Sequence, residues 1–148
     1  MPLKVLIVED NPTARTTLEK LLAIRGFRVQ TARTLCEGRQ KLDGHAAVIL
    51  DLDLPDGCGV ELLKKIRIDQ LPIKVLIVSA SVDPALWDDV QALHPDAVLE
   101  KPLDFPALLK HLSLPVDYEG ERAPRPARGG TVGGAAASAT VFWGWAGP

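Results

Sequence analysis

Three carboxylates, a hydroxyl and an ammonium stand at the ends of short apolar runs. Glu9 and Asp10 follow LKVLIV, Asp51 follows AAVIL, Ser79 follows IKVLIV, and Lys101 follows DAVLE. Oxygen donors of this kind suit Mg²⁺, which takes near-octahedral oxygen ligands and needs only one or two protein carboxylates beside waters and phosphate oxygens. Asp10 and Asp51 form the natural ligand pair. Glu9 can hold a metal-bound water, and Asp53, two residues past Asp51, can offer its backbone carbonyl.

Asp51 suits a covalent role as well. A carboxylate can attack phosphorus and form an aspartyl-phosphate, and a divalent metal offsets the repulsion between the two anions. The Ser79 hydroxyl can donate to phosphoryl oxygens, and Lys101 supplies a counter-charge to them. Pro102 restricts Lys101 to extended backbone and closes the run. Taken singly, Ser79 and Lys101 are ordinary strand-end residues; the chemistry lies in the set.

Such a set meets only if the apolar runs are parallel strands ending on one edge of an open sheet. The patterning predicts five strand–helix units. Strands are expected over Leu3–Val8, Phe27–Thr31, Ala47–Leu50, Lys74–Val78 and Ala97–Leu99. The first helix starts at Asn11, a good cap, with Pro12 at its first position. Leu18, Leu21 and Leu22 give it a core face, and Gly26 is placed to end it in a left-handed turn. Thr34, Asp83 and Asp104 head the second, fourth and fifth helices. Pro55-Asp56-Gly57 reads as a turn before the third. That helix turns Val60, Leu63 and Ile66 inward, the fourth Leu86, Val90 and Leu93, and the fifth Leu108, Leu109 and Leu112. Alternating strands and helices imply a parallel sheet with helices on both faces.

Of the 148 residues, 47% are apolar and 24% charged, which suits one core-forming domain. The net charge of −2 gives no electrostatic case for nucleic acid or an anionic membrane. No apolar run approaches the roughly 20 residues of a bilayer span, and the N-terminus lacks a signal-peptide pattern. A cytoplasmic location is therefore expected. Cys36 and Cys58 have no metal or redox spacing and read as reduced thiols. His45, His94 and His111 lack ligand spacing. Composition shifts near Pro115: from there Gly, Ala and Pro make up 18 of 34 residues. The folded domain is placed at 1–114 and a flexible tail at 115–148.

The segments VLIVEDN, VILDLDLPDGCGVELLKKIR, VLIVSAS and VLEKPLD, in this order, resemble the receiver domain of two-component response regulators over about residues 3–112. The resemblance implies a flavodoxin-like (βα)5 fold, a doubly wound five-stranded parallel sheet of order 2-1-3-4-5. It implies Asp51 as phosphoacceptor, Mg²⁺ on Glu9, Asp10, Asp51 and the Asp53 carbonyl, Ser79 reading the phosphoryl group and Lys101 pairing with it. The donor would be a histidine of a sensor kinase or a histidine phosphotransfer protein. The output would go to a downstream protein target through the fourth helix, fifth strand and fifth helix, with a homodimer on phosphorylation left open.

Some positions depart from that pattern. Many receivers carry an aromatic residue three positions before the lysine, where this chain has Val98; Trp87 is a candidate substitute. Asp53 and Ser81 occupy positions that influence acyl-phosphate hydrolysis in the family. No helix-turn-helix pattern follows Leu114, so a stand-alone receiver without direct nucleic-acid binding is expected. Arg122, Arg125 and Arg128 and the aromatic Phe142, Trp143 and Trp145 stand in the tail.

Two other functions share these residues. LDLDLPDG also resembles the DxDx motif of haloacid-dehalogenase-type phosphatases, which use an aspartate nucleophile with Mg²⁺. Against an enzyme stand the acidic pair before the nucleophile rather than after the lysine, and the lack of a cap insertion. A phosphate-independent pseudo-receiver would tolerate loss of site residues, and none is missing here.

Overall fold

The computed structural model describes residues 3–80 and 82–113. The expected tail and Ser81 lie outside the described residues. The main elements run β1 (Lys4–Val8), α1 (Pro12–Ile24), β2 (Arg28–Ala32), α2 (Leu35–Lys41), β3 (Ala47–Asp51), α3 (Val60–Ile68), β4 (Lys74–Ser79), α4 (Pro84–Ala92), β5 (Ala97–Glu100) and α5 (Phe105–Ser113). The five strands form one parallel sheet of order β2-β1-β3-β4-β5, as expected. The chain divides into two compact units, one up to Val75 and one from Leu76.

In the first unit β1 is the central strand. It pairs in parallel with β2, Val8 opposite Ala32, and with β3, Val8 opposite Leu50. Val5, Leu6, Ile7 and Val8 are fully buried, as are Val48 and Leu50. A strand apolar on both faces demands cover on both, and each such Leu or Ile contributes about 1.5–3 kcal/mol on burial. Asn11 caps α1, its side chain accepting from the Ala14 N–H at 2.9 Å. Thr34 caps α2, accepting from the Glu37 N–H at 3.0 Å. Gly26 has φ of +93°, the left-handed conformation expected at the end of α1.

One expectation for α1 fails. Leu18 and Leu22 are buried, but Leu21 is 38% exposed. Leu18 and Leu22 are one helical turn apart and share a stripe, whereas Leu21 falls at its margin. In α3 the inward set is wider than expected, with Leu62 buried beside Val60, Leu63 and Ile66. A two-residue antiparallel hairpin, Asp53–Leu54 with Gly57–Cys58, also lies outside the expected strands; the turn Pro55-Asp56 closes it.

In the second unit β4 and β5 pair in parallel from Leu76 opposite Ala97 to Ser79 opposite Glu100. Asp83 caps α4, accepting from the Ala85 N–H at 2.9 Å, and Asp104 accepts from the Ala107 N–H at 3.3 Å at the start of α5. Val90, Leu108 and Leu112 are buried; Leu86, Leu93 and Leu109 are half-buried.

Candidate functional site

β1 ends at Val8, and the ladder carries one step further: the Glu9 N–H donates to the Ala32 carbonyl of β2 at 3.0 Å. The chain then turns into α1. The Asn11 N–H donates to Glu9 Oε2 at 3.1 Å. From α1, Arg15 Nη1 donates to the Glu9 carbonyl at 3.0 Å and the Asp10 carbonyl at 3.2 Å. Glu9 is buried and Asp10 is exposed.

Asp51 is the last residue of β3 rather than the first beyond it, and it is buried. Its Oδ1 accepts the Asp53 N–H at 3.0 Å, which draws the chain back over the strand end. The turn is completed by the Gly59 N–H donating to the Leu52 carbonyl at 2.9 Å. A side chain at Gly59 would fall on the Asp51 carbonyl oxygen, so the loop closes this tightly only with glycine there. Asp53 is exposed and paired with Cys58 in the hairpin.

One carboxylate oxygen from each of Glu9, Asp10 and Asp51 comes together within 4.8 Å. Opposed oxygens around an octahedral Mg²⁺ lie about 4 Å apart, twice its 2.0–2.1 Å ligand distance. The spacing and the all-oxygen donor set therefore fit that ion.

Ser79 ends β4 and is buried, and Lys101 follows β5. The Lys101 N–H donates to the Ser79 carbonyl at 3.0 Å, extending the β4–β5 ladder past Glu100 and tying the two expected phosphoryl-binding residues together at backbone level. The Lys101–Pro102 peptide is cis. Val98 is buried opposite Ile77, and Trp87 is half-buried on α4.

Two residues of this region escape a sequence reading in terms of roles. Arg15 gives no signal beyond being a basic residue on α1. Asp56, within the turn motif, accepts from the Leu35 N–H at 2.7 Å and the Cys36 N–H at 3.0 Å at the start of α2. These two amide bonds hold its carboxyl below the usual carboxylate value. Cys36 is exposed, Cys58 is half-buried, and both are free thiols.

Comparison with known proteins identifies the family. The response regulator receiver domain family matches residues 5–113, and the chain belongs to that family. It is 33% identical over 137 residues to the response regulator MprA of Mycolicibacterium vanbaalenii, covering 83% of this chain and 57% of that one. It is 34% identical over 116 residues to the transcriptional regulatory protein KdpE of Mycobacterium tuberculosis, covering 76% and 50%. A crystal structure of a CheY-like response regulator receiver domain protein from Methanospirillum hungatei superposes with a TM-score of 0.71 at 25% identity, covering 76% of this chain and 91% of that one. The chain spans from rather more than a quarter to rather more than half the length of the curated relatives it matches. The family is one of signalling domains and not a classic enzyme family. Among the described residues no helix is long and apolar enough to cross a membrane.

Proposed function

We propose that the protein is a phosphorylation switch in which Asp51 accepts a phosphoryl group from a histidine of a sensor kinase or histidine phosphotransfer protein. The observation that carries this is the convergence of Glu9, Asp10 and Asp51 at the ends of β1 and β3. One Asp51 carboxylate oxygen attacks phosphorus, the phosphorus–nitrogen bond of the donor breaks, and the imidazole leaves with the bonding pair. Glu9, Asp10, Asp51 and the Asp53 carbonyl would hold Mg²⁺, which when bound would supply positive charge to offset the repulsion between the carboxylate nucleophile and the phosphoryl group. The hairpin that pairs Asp53 with Cys58 restrains the backbone bearing that carbonyl.

Ser79 and Lys101 complete the proposal as hydroxyl donor and counter-charge. Their support is the strand order and their own backbone pairing. Phosphorylation then biases a two-state equilibrium. Reversing a 1:99 population takes about 5.5 kcal/mol of differential stabilisation. With Val98 in place of an aromatic residue, the change is proposed to reach α4, β5 and α5 through backbone shifts or Trp87.

The output is proposed to be contact with a downstream protein target in the cytoplasm. The expected lack of direct nucleic-acid binding rests on the net charge of −2; the longer relative KdpE is named a transcriptional regulatory protein.

The test is incubation with Mg²⁺ and a small phosphodonor, read by intact mass. Gain of one phosphoryl group, abolished in Asp51→Asn, is expected. Wild-type protein that no donor or competent kinase modifies would overturn the proposal.

A further inference from the structure

Arg15 presents an electrostatic puzzle. A guanidinium bonded to the backbone of two of the three clustered acidic residues would ordinarily be read as a counter-ion. Among the described residues, however, Arg15 makes no ion pair. Its Nη1 instead donates to two main-chain carbonyls, those of Glu9 and Asp10. A positive charge near a cation site also weakens cation binding by direct repulsion. Its placement is therefore favourable to a metal only if what it does to geometry outweighs its charge.

The geometry supports such a role. The link between β1 and α1 is held from three sides: by β2 through the Glu9 N–H, by the Glu9 carboxylate on the Asn11 N–H, and by Arg15 on both carbonyls. A charged donor makes stronger hydrogen bonds than a neutral one. Fixing both carbonyls fixes the two peptide planes and hence the directions in which the Glu9 and Asp10 side chains leave the backbone.

We propose that Arg15 is a positioning residue of the metal site, orienting Glu9 and Asp10 for a small octahedral ion. The inference rests on reading Glu9, Asp10 and Asp51 as Mg²⁺ ligands. It carries a selectivity consequence. Mg²⁺ demands near-ideal octahedral geometry, whereas Ca²⁺ accepts six to eight ligands in flexible arrangements. Loosening the Glu9–Asp10 link therefore penalises Mg²⁺ more than Ca²⁺.

The experiment is calorimetric titration of the full chain with Mg²⁺ and with Ca²⁺ at fixed ionic strength, for wild type, Arg15→Ala, Arg15→Gln and Arg15→Lys, with a melting curve for each. Arg15→Ala is expected to weaken Mg²⁺ about tenfold, the usual lower range for removing a support of a metal ligand, and to weaken Ca²⁺ less. Arg15→Gln should behave like Arg15→Ala, and Arg15→Lys should recover part of the loss, because an ammonium can still donate to both carbonyls. Should Arg15→Ala fail to fold, Arg15→Gln and Arg15→Lys carry the test. Unchanged or tighter Mg²⁺ binding in a folded variant would mean that Arg15 acts as a nearby charge, and the inference fails. Equal losses for both ions overturn it too. A wild type that binds no Mg²⁺ overturns the metal reading itself, a result distinguishable because it appears before any variant is compared.

Discussion

Asp56 and Leu35 are joined across the top of the first unit: the Asp56 carboxylate accepts the Leu35 N–H at 2.7 Å while also accepting from Cys36 at 3.0 Å. The first helical amides of α2 have no partner within their own helix. Asp56 satisfies two of them and Thr34 a third, so the loop that follows Asp51 is bolted to the start of α2. A displacement of the loop that follows Asp51 would therefore pass to the start of α2.

The Asp56 bonds make a pH prediction. Its carboxyl is held below the ordinary 3.8, first by the Leu35 N–H and then by the Cys36 N–H. A depressed folded value contributes stability that is complete above the unfolded value and lost as pH falls through the folded one. The loss therefore begins near 3.8 and finishes below it. Asp56→Asn should be less stable than wild type at neutral pH and should show a shallower loss on acidification. Denaturant melts over a pH series measure both; parallel pH curves would count against the bond.

Gly59→Ala should destabilise the fold by about 1–3 kcal/mol, the usual range for forcing extra atoms into a packed position. The added carbon meets the Asp51 carbonyl, and backbone cannot rotate away as a side-chain tip can. Urea denaturation gives the stability change. Mg²⁺ affinity should fall as well, because the displaced residue is a proposed ligand. A neutral substitution would show that the loop opens without cost.

Asp10→Asn should move stability in opposite directions with and without metal. Three carboxylate oxygens within 4.8 Å repel one another, so neutralising one relieves the metal-free protein. The same change removes a proposed ligand. At a hundred times its Kd, Mg²⁺ stabilises by about 2.7 kcal/mol, and the variant should lose most of that increment. Melting curves with Mg²⁺ and with a chelator separate the two effects. A variant stabilised by Mg²⁺ as much as wild type would exclude Asp10 as a ligand.

Thr34→Ala should cost about 1 kcal/mol, the typical value of a helix cap, and Thr34→Ser should retain most of it. The Thr34 Oγ1 contact with the Glu37 N–H at 3.0 Å is the bond removed. Equilibrium denaturation checks the pair, and equal losses from Ala and Ser would place the effect in packing of the methyl group instead.

Local signals in the chain are strong where one residue decides one backbone step. Asn11-Pro12, Thr34, Asp83 and Gly26 each mark a helix end by side-chain or backbone chemistry that acts within three residues, and each does so in the structure. The fully apolar β1 and β3 announce burial on both faces, and alternation with helices leaves few parallel arrangements. Leu21 departs from the expected core face because a core stripe has a margin, and side-chain type alone does not say which leucine lies on it.

The sequence by itself determined the element order, the parallel sheet and the placing of Glu9, Asp10, Asp51, Ser79 and Lys101 at strand ends, because strand burial and capping are local. Only the tertiary structure decided how the first three are held. Arg15 reaches back 6 residues to the Glu9 carbonyl and Asp56 reaches 21 residues to the Leu35 amide. Gly59 closes on the carbonyl of Asp51. Each depends on where the folded backbone brings a donor, an acceptor or an empty space, and no periodicity or propensity along the chain encodes that distance.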